Sequence, residues 1–517
     1  MKTTKRTKRF ALGLVAWAGF GALIQAVDWP QYRGPLHDGS SPEPIRTDWS
    51  QNPPRVVWRK AVEPAWSSLT IRGGRVFTQV NRRISGSARE VCVAFDAETG
   101  RELWATNLER AAYPDAGTGS TDGPRSTPTV DGDRVYVFTA YLKLYCLRAD
   151  TGAVEWTRDF VQEFSGTTVI DWQNAASPLV VGDLIYLNSN VNGRSLTAVR
   201  KTDGVTAWSG QTDLMTHATP AYATLSGVPQ VVFLTSRGLV GVTPETGGVL
   251  WRYSFSPSRT STAATPVVAG DYVYGSCAYS LGAWTARIAR SGDAFQVEQT
   301  DYKRSSSYQN HWATPVHHEG FLYSIVERSF RSLACFDLVN RTNRWITDRV
   351  GTRNPGYASL IKVGGKLVVL TEDGELVLLE PNPSAYTELG RFQALNGTSW
   401  NHPAFSNGRL YARSNIEVVV LDLAAALPPL PDLRLGAVVL RESGRLRVSV
   451  TAVDGTPLTD AEADRVELQL SPPPDATGRF AWESLSLPFT SREGGLEAEM
   501  IAPSDARYLR VLVPETR

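Results

Sequence analysis

Eight positions along this chain fall into one column and could together form a binding surface: Trp66, Arg125, Ala175, His217, Ala263, Trp312, Tyr357 and Trp400. Wherever the local Ser/Ala-Thr-Pro pattern is complete, the column residue stands three positions before its proline, as Arg125 does before Pro128 and Trp312 before Pro315. Four entries are aromatic, and they are contiguous if the repeats close into a ring. Asn310, His311, Asn401 and His402 flank the aromatic entries, with Arg125 and His217 across the ring. Such a set offers an apolar floor with polar edges, which suits a planar ring, a sugar or a peptide segment. Aromatic residues at such positions also serve simply to pack one repeat against the next. The expected ligand set is therefore Trp66, Arg125, His217, Asn310, His311, Trp312, Tyr357, Trp400, Asn401 and His402, with no catalytic residue and no metal ligand among them.

The elements that must position this column are read from a second set of tryptophans. Trp58, Trp104, Trp156, Trp208, Trp251 and Trp345 are separated by 46, 52, 52, 43 and 94 residues, the last being a double interval. A period of roughly 40–50 residues in strand-rich sequence signals stacked all-β units, as in a propeller. Each Trp closes a local motif, clearest in Ala94-Phe95-Asp96-Ala97-Glu98-Thr99-Gly100-Arg101-Glu102-Leu103-Trp104. The Gly of Thr99-Gly100, Thr151-Gly152 and Thr246-Gly247 supplies the positive φ of a hairpin turn. The Trp four residues later is expected on an outer strand, wedged against the neighbouring sheet. Ten positions before the Trp stands a small residue, Ala94, Cys146, Ala198, Gly241 or Cys335, expected where strands approach closely. Short runs such as Val130–Phe138 and Val180–Leu187, rich in Val, Tyr, Ile and Phe, read as antiparallel strands.

Eight such units span residues 55–423. Units 5 and 7 lack the Trp, with Val297 and Phe392 near the expected places, and unit 8 ends at Leu423 before any Trp strand. Arg55–Ala61, ahead of unit 1, is expected to complete the last unit and so remove the open sheet edges. The fold class is thus all-β, an eight-bladed β-propeller closed by an N-terminal strand and followed by a small C-terminal β-sandwich. Residues 424–432 read as a Pro-rich linker, and six short strand candidates in 433–517 as the sandwich. Residues 1–26 combine a basic start (Lys2, Lys5, Arg6, Lys8, Arg9) with an uncharged apolar run, Phe10–Ile24, and read as an export signal cleaved near Ala26, leaving 27–54 as an N-terminal extension. An uncleaved anchor is the competing reading, although the run falls short of the ~20 residues that span a bilayer. No cysteine follows the cleavage region, so no lipoprotein is expected.

Loss of the five basic residues takes the formal net charge from +1 to −4, which disfavours nucleic acid as a partner. The cysteines, at 92, 146, 277 and 335, form no Cys-x-x-Cys, haem or zinc spacing. Asp131-Gly132-Asp133 and His317-His318 read as turns rather than metal sites.

The repeated A-x-D-x-x-T-G-x-x-x-W copies and the Ser/Ala-Thr-Pro openings resemble the pyrroloquinoline-quinone-like (PQQ-like) β-propeller repeats. The leader Trp29-Pro30-Gln31-Tyr32-Arg33-Gly34-Pro35 resembles the start of exported members. The resemblance implies two functional classes. Quinoprotein alcohol dehydrogenases hold PQQ with calcium, a stacking Trp and two adjacent cysteines, whereas no two cysteines are adjacent here. Non-catalytic members resemble BamB, the propeller subunit of the outer-membrane assembly machinery. The preferred expectation is an exported, non-enzymatic, monomeric binding or assembly scaffold, periplasmic or extracellular, with an envelope protein or small ligand at the channel mouth and no cofactor. The alternatives are a PQQ-dependent oxidoreductase and a carbohydrate-binding or carbohydrate-active propeller.

Overall fold

Alternating short strands and glycine turns build eight antiparallel sheets in succession. A computed structural model describes residues 27–425, except 112, 114–122, 259 and 261, and strands with their flanks between 433 and 512. The expected export signal and the segment 426–432 lie outside the described residues. Sheet 1 comprises Thr70–Arg72, Arg75–Ile84, Ser87–Asp96 and Glu102–Arg110, in that order from inside to outside. Sheets 2 to 7 repeat the order with inner strands at Thr129–Asp131, Leu179–Val181, Ala221–Leu225, Val267–Ala269, Val316–His318 and Ser359–Val363. Sheet 8 takes three strands from Ala404–Ser406, Arg409–Arg413 and Glu417–Asp422, and its fourth is Arg55–Ala61, paired antiparallel to Glu417–Asp422. The inner strands of sheets 1 to 7 lie side by side in succession, and the inner strand of sheet 8 lies beside that of sheet 1.

Burial follows from this stacking. Middle strands such as Lys143–Arg148 and Glu417–Asp422 are covered on both faces and read as continuous apolar runs, while outer strands such as Val154–Asp159 are half exposed. The small-residue column is explained by register: Ala94, Cys146, Ala198, Gly241 and Cys335 stand directly opposite Trp104, Trp156, Trp208, Trp251 and Trp345. A larger side chain there would collide with the indole.

The repeat tryptophans clip successive sheets together. Trp58, Trp104, Trp208 and Trp345 donate Nε1–H to the carbonyls of Ala97 (2.9 Å), Ala149 (3.0 Å), Pro244 (2.7 Å) and Asn382 (2.9 Å), each in the next sheet. Trp58, in sheet 8, reaches sheet 1 in the same manner as Trp104 reaches sheet 2. The rings of Trp58, Trp104, Trp156 and Trp208 lie on Gly100, Gly152, Gly204 and Gly247, where a Cβ would approach within 2.3–2.7 Å. Those glycines also hold φ of +69 to +71°. Trp251 departs from the expectation: its Nε1 bonds Gln230 Oε1 in its own sheet (2.6 Å) and its ring sits on Gly241. The reason lies in sheet 5, where a long hairpin, Gly282–Ser291 and Ala294–Lys303, replaces the Thr-Gly turn that would receive it. Phe255 of the preceding segment instead stacks on Trp284 (4.1 Å, 5°), which stacks on Tyr302 (4.9 Å).

Arg413 joins sheet 8 to sheet 1. It is fully buried and donates to Thr78 Oγ1 (2.9 Å), Gln79 O (3.1 Å) and Glu63 O (3.2 Å). Burial lowers its pKa to about 10, so it stays charged at neutral pH.

Leu427–Arg517 belongs to a separate compact unit. Its described strands form one sheet from Leu433–Leu440, Arg445–Ala452, Gly495–Ile501 and Thr490–Arg492, and another from Glu483–Leu485, Glu467–Ser471 and Tyr508–Leu512. Val448, Val450 and Leu496 of the first share a buried cluster with Leu468 of the second.

Candidate functional site: an aromatic cup where the inner strands begin

All eight column residues line one cavity of about 320 Å³. Each stands just before its inner strand, so eight-fold repetition of the fold brings them to one mouth. Trp66 stacks on Trp400 (4.2 Å, 22°) and Trp312 on Tyr357 (4.3 Å, 26°). The two couples meet at an angle, with Trp312 and Trp400 at 46° and Tyr357 and Trp400 at 71°. The arc is therefore a curved aromatic wall whose members pack on one another as well as on the cavity.

The polar groups are held from behind. Trp400 Nε1 donates to Glu372 Oε1 (2.8 Å), and the same carboxylate accepts from the Tyr357 amide (3.1 Å). His311 Nδ1 lies 2.6 Å from Glu327 Oε1, and Arg331 covers the Tyr357 ring at 3.8 Å. Asn401 donates to Ser67 O (2.8 Å). His402 is 8 % exposed, and burial together with the nearby Arg33 guanidinium pushes its pKa down to about 3, so its imidazole is neutral at neutral pH. Among the described residues that line the cup there is no Asp or Glu.

Of the ten residues expected at the site, nine line the cup and Asn310 does not. Asn310 is fully buried, receives Tyr274 O–H (3.2 Å) and donates to Ile325 O (2.6 Å), which makes it a brace between sheets 5 and 6. His317 and His318 lie on the inner strand of sheet 6, towards its first turn and away from the cup.

Three features of the cup escape the column reading. The first is its floor. The extension runs past the far ends of the inner strands: Trp29 bridges Ile71, Pro30 O accepts from Val130 N (2.7 Å), Ser40–Ser41 pairs with Lys362 and Val363, and Glu43 accepts from Gly408 N (2.9 Å). From this strap Tyr32 reaches the cup, its hydroxyl within 3.5 Å of His402 Nδ1 and of Thr314 Oγ1. Arg33 is buried and donates to Pro315 O (2.7 Å) and Asp38 O (2.6 Å). The second is a belt of hydroxyls, Ser68, Thr127, Ser177 and Thr219, which line the cup beside the column. The third is the rim, where Trp172 and Tyr279 line the cavity from loops between strands.

A family model described as "Outer membrane protein assembly factor BamB" matches residues 87–347, half of the chain. Among curated proteins, the outer membrane protein assembly factor BamB of Moranella endobia (strain PCIT) is 26 % identical over 239 residues, covering 40 % of this chain and 57 % of that protein. The BamB of Yersinia pestis is 27 % identical over 273 residues, covering 47 % and 60 %. The chain thus spans about three fifths of the length of these curated relatives. Among solved structures, BamB from Moraxella catarrhalis superposes with a TM-score of 0.50 at 16 % identity, over 73 % of this chain and 99 % of that one. Quinohemoprotein alcohol dehydrogenase from Comamonas testosteroni does so with a TM-score of 0.56 at 14 % identity, over 81 % and 84 %. At such identities these two likenesses speak for the fold alone. The chain belongs to the BamB-like family of PQQ-like β-propeller proteins.

Proposed function

We propose that the eight sheets are the blades of one closed propeller, 55–423, completed by Arg55–Ala61, with a β-sandwich at 433–517 beyond a linker at 424–432 and an export signal at 1–26. Ring closure is supported by the Trp58 bond to Ala97 and by His402 N donating to Ser68 Oγ (3.0 Å) across the same junction. On this reading the protein is a non-enzymatic scaffold of the cell envelope, periplasmic or extracellular, that binds through the cup and its rim. The observation that carries it is the convergence of all eight column residues on one cavity. The relatives' name, outer membrane protein assembly factor, favours an envelope protein as partner. Among the described residues no helix is long and apolar enough to cross a membrane.

PQQ catalysis finds less support in the residues. Among the described residues no carboxylate and no cysteine lines the cup, and no group of three His, Cys, Asp or Glu is placed to hold calcium. A photo-reactive side chain at Phe330, 92 % exposed at the end of the short 3-10 helix Arg328–Phe330, tests the scaffold in envelope extracts by crosslinking and mass spectrometry. Capture of one envelope protein that is lost on Trp172→Ala supports the reading. Dye-linked alcohol oxidation after addition of PQQ and calcium would overturn it.

A further inference from the structure

The cup is two-sided. Its aromatic wall comes from sheets 6, 7, 8 and 1, through Trp312, Tyr357, Trp400 and Trp66, and its hydroxyl belt from sheets 1 to 4, through Ser68, Thr127, Ser177 and Thr219. Ser68 Oγ accepts from His402 N (3.0 Å), Thr127 Oγ1 from Ser68 N (3.0 Å), Ser177 Oγ from Thr127 N (2.9 Å) and Thr219 Oγ1 from Ser177 N (2.9 Å). Each hydroxyl gives a lone pair to an amide of a neighbouring sheet and keeps its own O–H to donate.

Acceptors stand beside these donors. Asn401 is 2 % exposed, and its Nδ2 donates to Ser67 O (2.8 Å). That bond fixes the amide and leaves Oδ1 as an acceptor with no hydrogen bond among the described residues. His402 Nε2 is likewise without one among the described residues. A neutral imidazole presents either a lone pair or an N–H there, according to which of Nδ1 and the Tyr32 hydroxyl donates to the other. Leaving a buried polar atom unbonded is unfavourable, so such atoms beside a cavity point to a ligand group that satisfies them.

An alcohol both donates and accepts, and so meets the belt, Asn401 Oδ1 and either form of His402. A carboxylate only accepts and would face Asn401 Oδ1 without a proton, while an ammonium only donates and would leave the belt's O–H groups unmatched. The wall argues against a flat ligand. Its rings lie in two stacks tilted by 46° between Trp312 and Trp400, which makes a concave surface instead of a parallel slot. A saturated ring with adjacent hydroxyls carries polar groups on its edge and C–H bonds on its faces, the same division as the cup. The mouth supplies an independent observation. Trp172 and Tyr279 hold left-handed backbone, φ +65° and +56°, although 38 % and 61 % of their surfaces are exposed. That conformation is strained for bulky residues, and strain of this kind clusters at ligand clamps.

We propose that the cup takes a neutral pyranose, free or at the end of an oligosaccharide, with its hydroxyls on the belt, Asn401 and His402 and a C–H face on the aromatic wall. The proposal rests on the reading of the cup as a binding site and names what it binds.

The full chain is titrated with methyl β-glucoside and methyl β-galactoside as single rings and with cellotetraose as a chain end, followed by calorimetry and tryptophan fluorescence. Galacturonate, PQQ and the neutral peptide Gly-Tyr-Gly, capped at both ends, are the comparators. Saturable one-to-one binding of at least one neutral sugar, with every comparator about tenfold weaker or more, is expected. The single-ring and tetraose arms separate a free sugar from a chain end. His402→Phe removes a polar partner and keeps a ring, and Trp312→Leu removes a stacking face. Each should weaken sugar binding about tenfold while the chain still melts cooperatively. Should either variant fail to fold, the comparator series on the unaltered chain decides alone. A cooperatively melting chain that binds none of the three sugars, binds galacturonate as tightly, or prefers PQQ or the peptide overturns the proposal, as does undiminished binding in both variants. Absence of sugar binding with the Phe330 crosslink intact removes the ligand class and leaves the scaffold reading standing.

Discussion

The outer rim, meaning the outer strands of the eight sheets that carry the repeat tryptophans, and the mouth of the cup set the same residue type in different contacts. At the rim, Trp58, Trp104, Trp208 and Trp345 each give their Nε1–H to a carbonyl of the next sheet, and three of these rings cover a glycine whose Cβ would collide with them. At the mouth, Trp66, Trp312 and Trp400 stack on one another and on Tyr357 and remain partly open to a cavity. The lesson is that an indole's role here follows from what its N–H and its second face meet, not from its place in the repeat. Trp251 makes the same point within the rim: lacking a receiving turn in sheet 5, it folds back onto Gln230.

The comparison can be broken from the rim side first. Trp104→Ala should cost about 3–5 kcal/mol, as for other buried aromatic truncations, in chemical denaturation. Gly152→Ala should cost about 2–3 kcal/mol without removing any atom, because it adds a Cβ at φ +71° that meets Trp104 at 2.5 Å. An effect under 1 kcal/mol at either site would mean that the rim clips are ornamental.

A third expectation concerns a buried carboxyl in sheet 1. Glu90 is fully buried, accepts from Tyr113 O–H (2.9 Å), and burial pushes its pKa up to about 7. Because the folded value lies above the unfolded one, the native state binds the extra proton between pH ~4.5 and ~7, and stability falls as pH rises through that window. Glu90→Gln should therefore gain roughly 2 kcal/mol at pH 8 and nothing at pH 4, read from melts at both. Equal effects at the two pH values would remove burial of charge as the cause. Trp312→Ala should have the smallest effect on stability, about 1–2 kcal/mol, because its ring is partly exposed at the cup.

What the sequence made legible followed the repeat. The Trp, Thr-Gly and Thr-Pro columns recur in register, so their residues could be placed by counting, and nine of ten expected site residues line one cavity. Asn310 misled because adjacency to Trp312 does not fix direction; its side chain turns into the interface between sheets to brace Tyr274 and Ile325. Tyr32 is visible within the leader motif, yet nothing in a repeat pattern tells that a segment outside it runs past the far ends of the inner strands and reaches the cup. Trp172 and Tyr279 sit in loops of unequal length, where periodicity carries no information, and their backbone conformation cannot be read from residue type. The hydroxyl belt lay in plain view beside the prolines, but its meaning depends on hydrogen bonds between repeats.

The central claim is that rim tryptophans hold the fold and mouth tryptophans serve binding. Thermal melting of a Trp312→Ala, Trp400→Ala double variant beside Trp104→Ala tests it most directly. The account predicts a cooperative transition within a few degrees of wild type for the double variant and a far larger loss for Trp104→Ala. A double variant that melts as low as Trp104→Ala, or does not fold, would show that the arc is packing and contradict the claim.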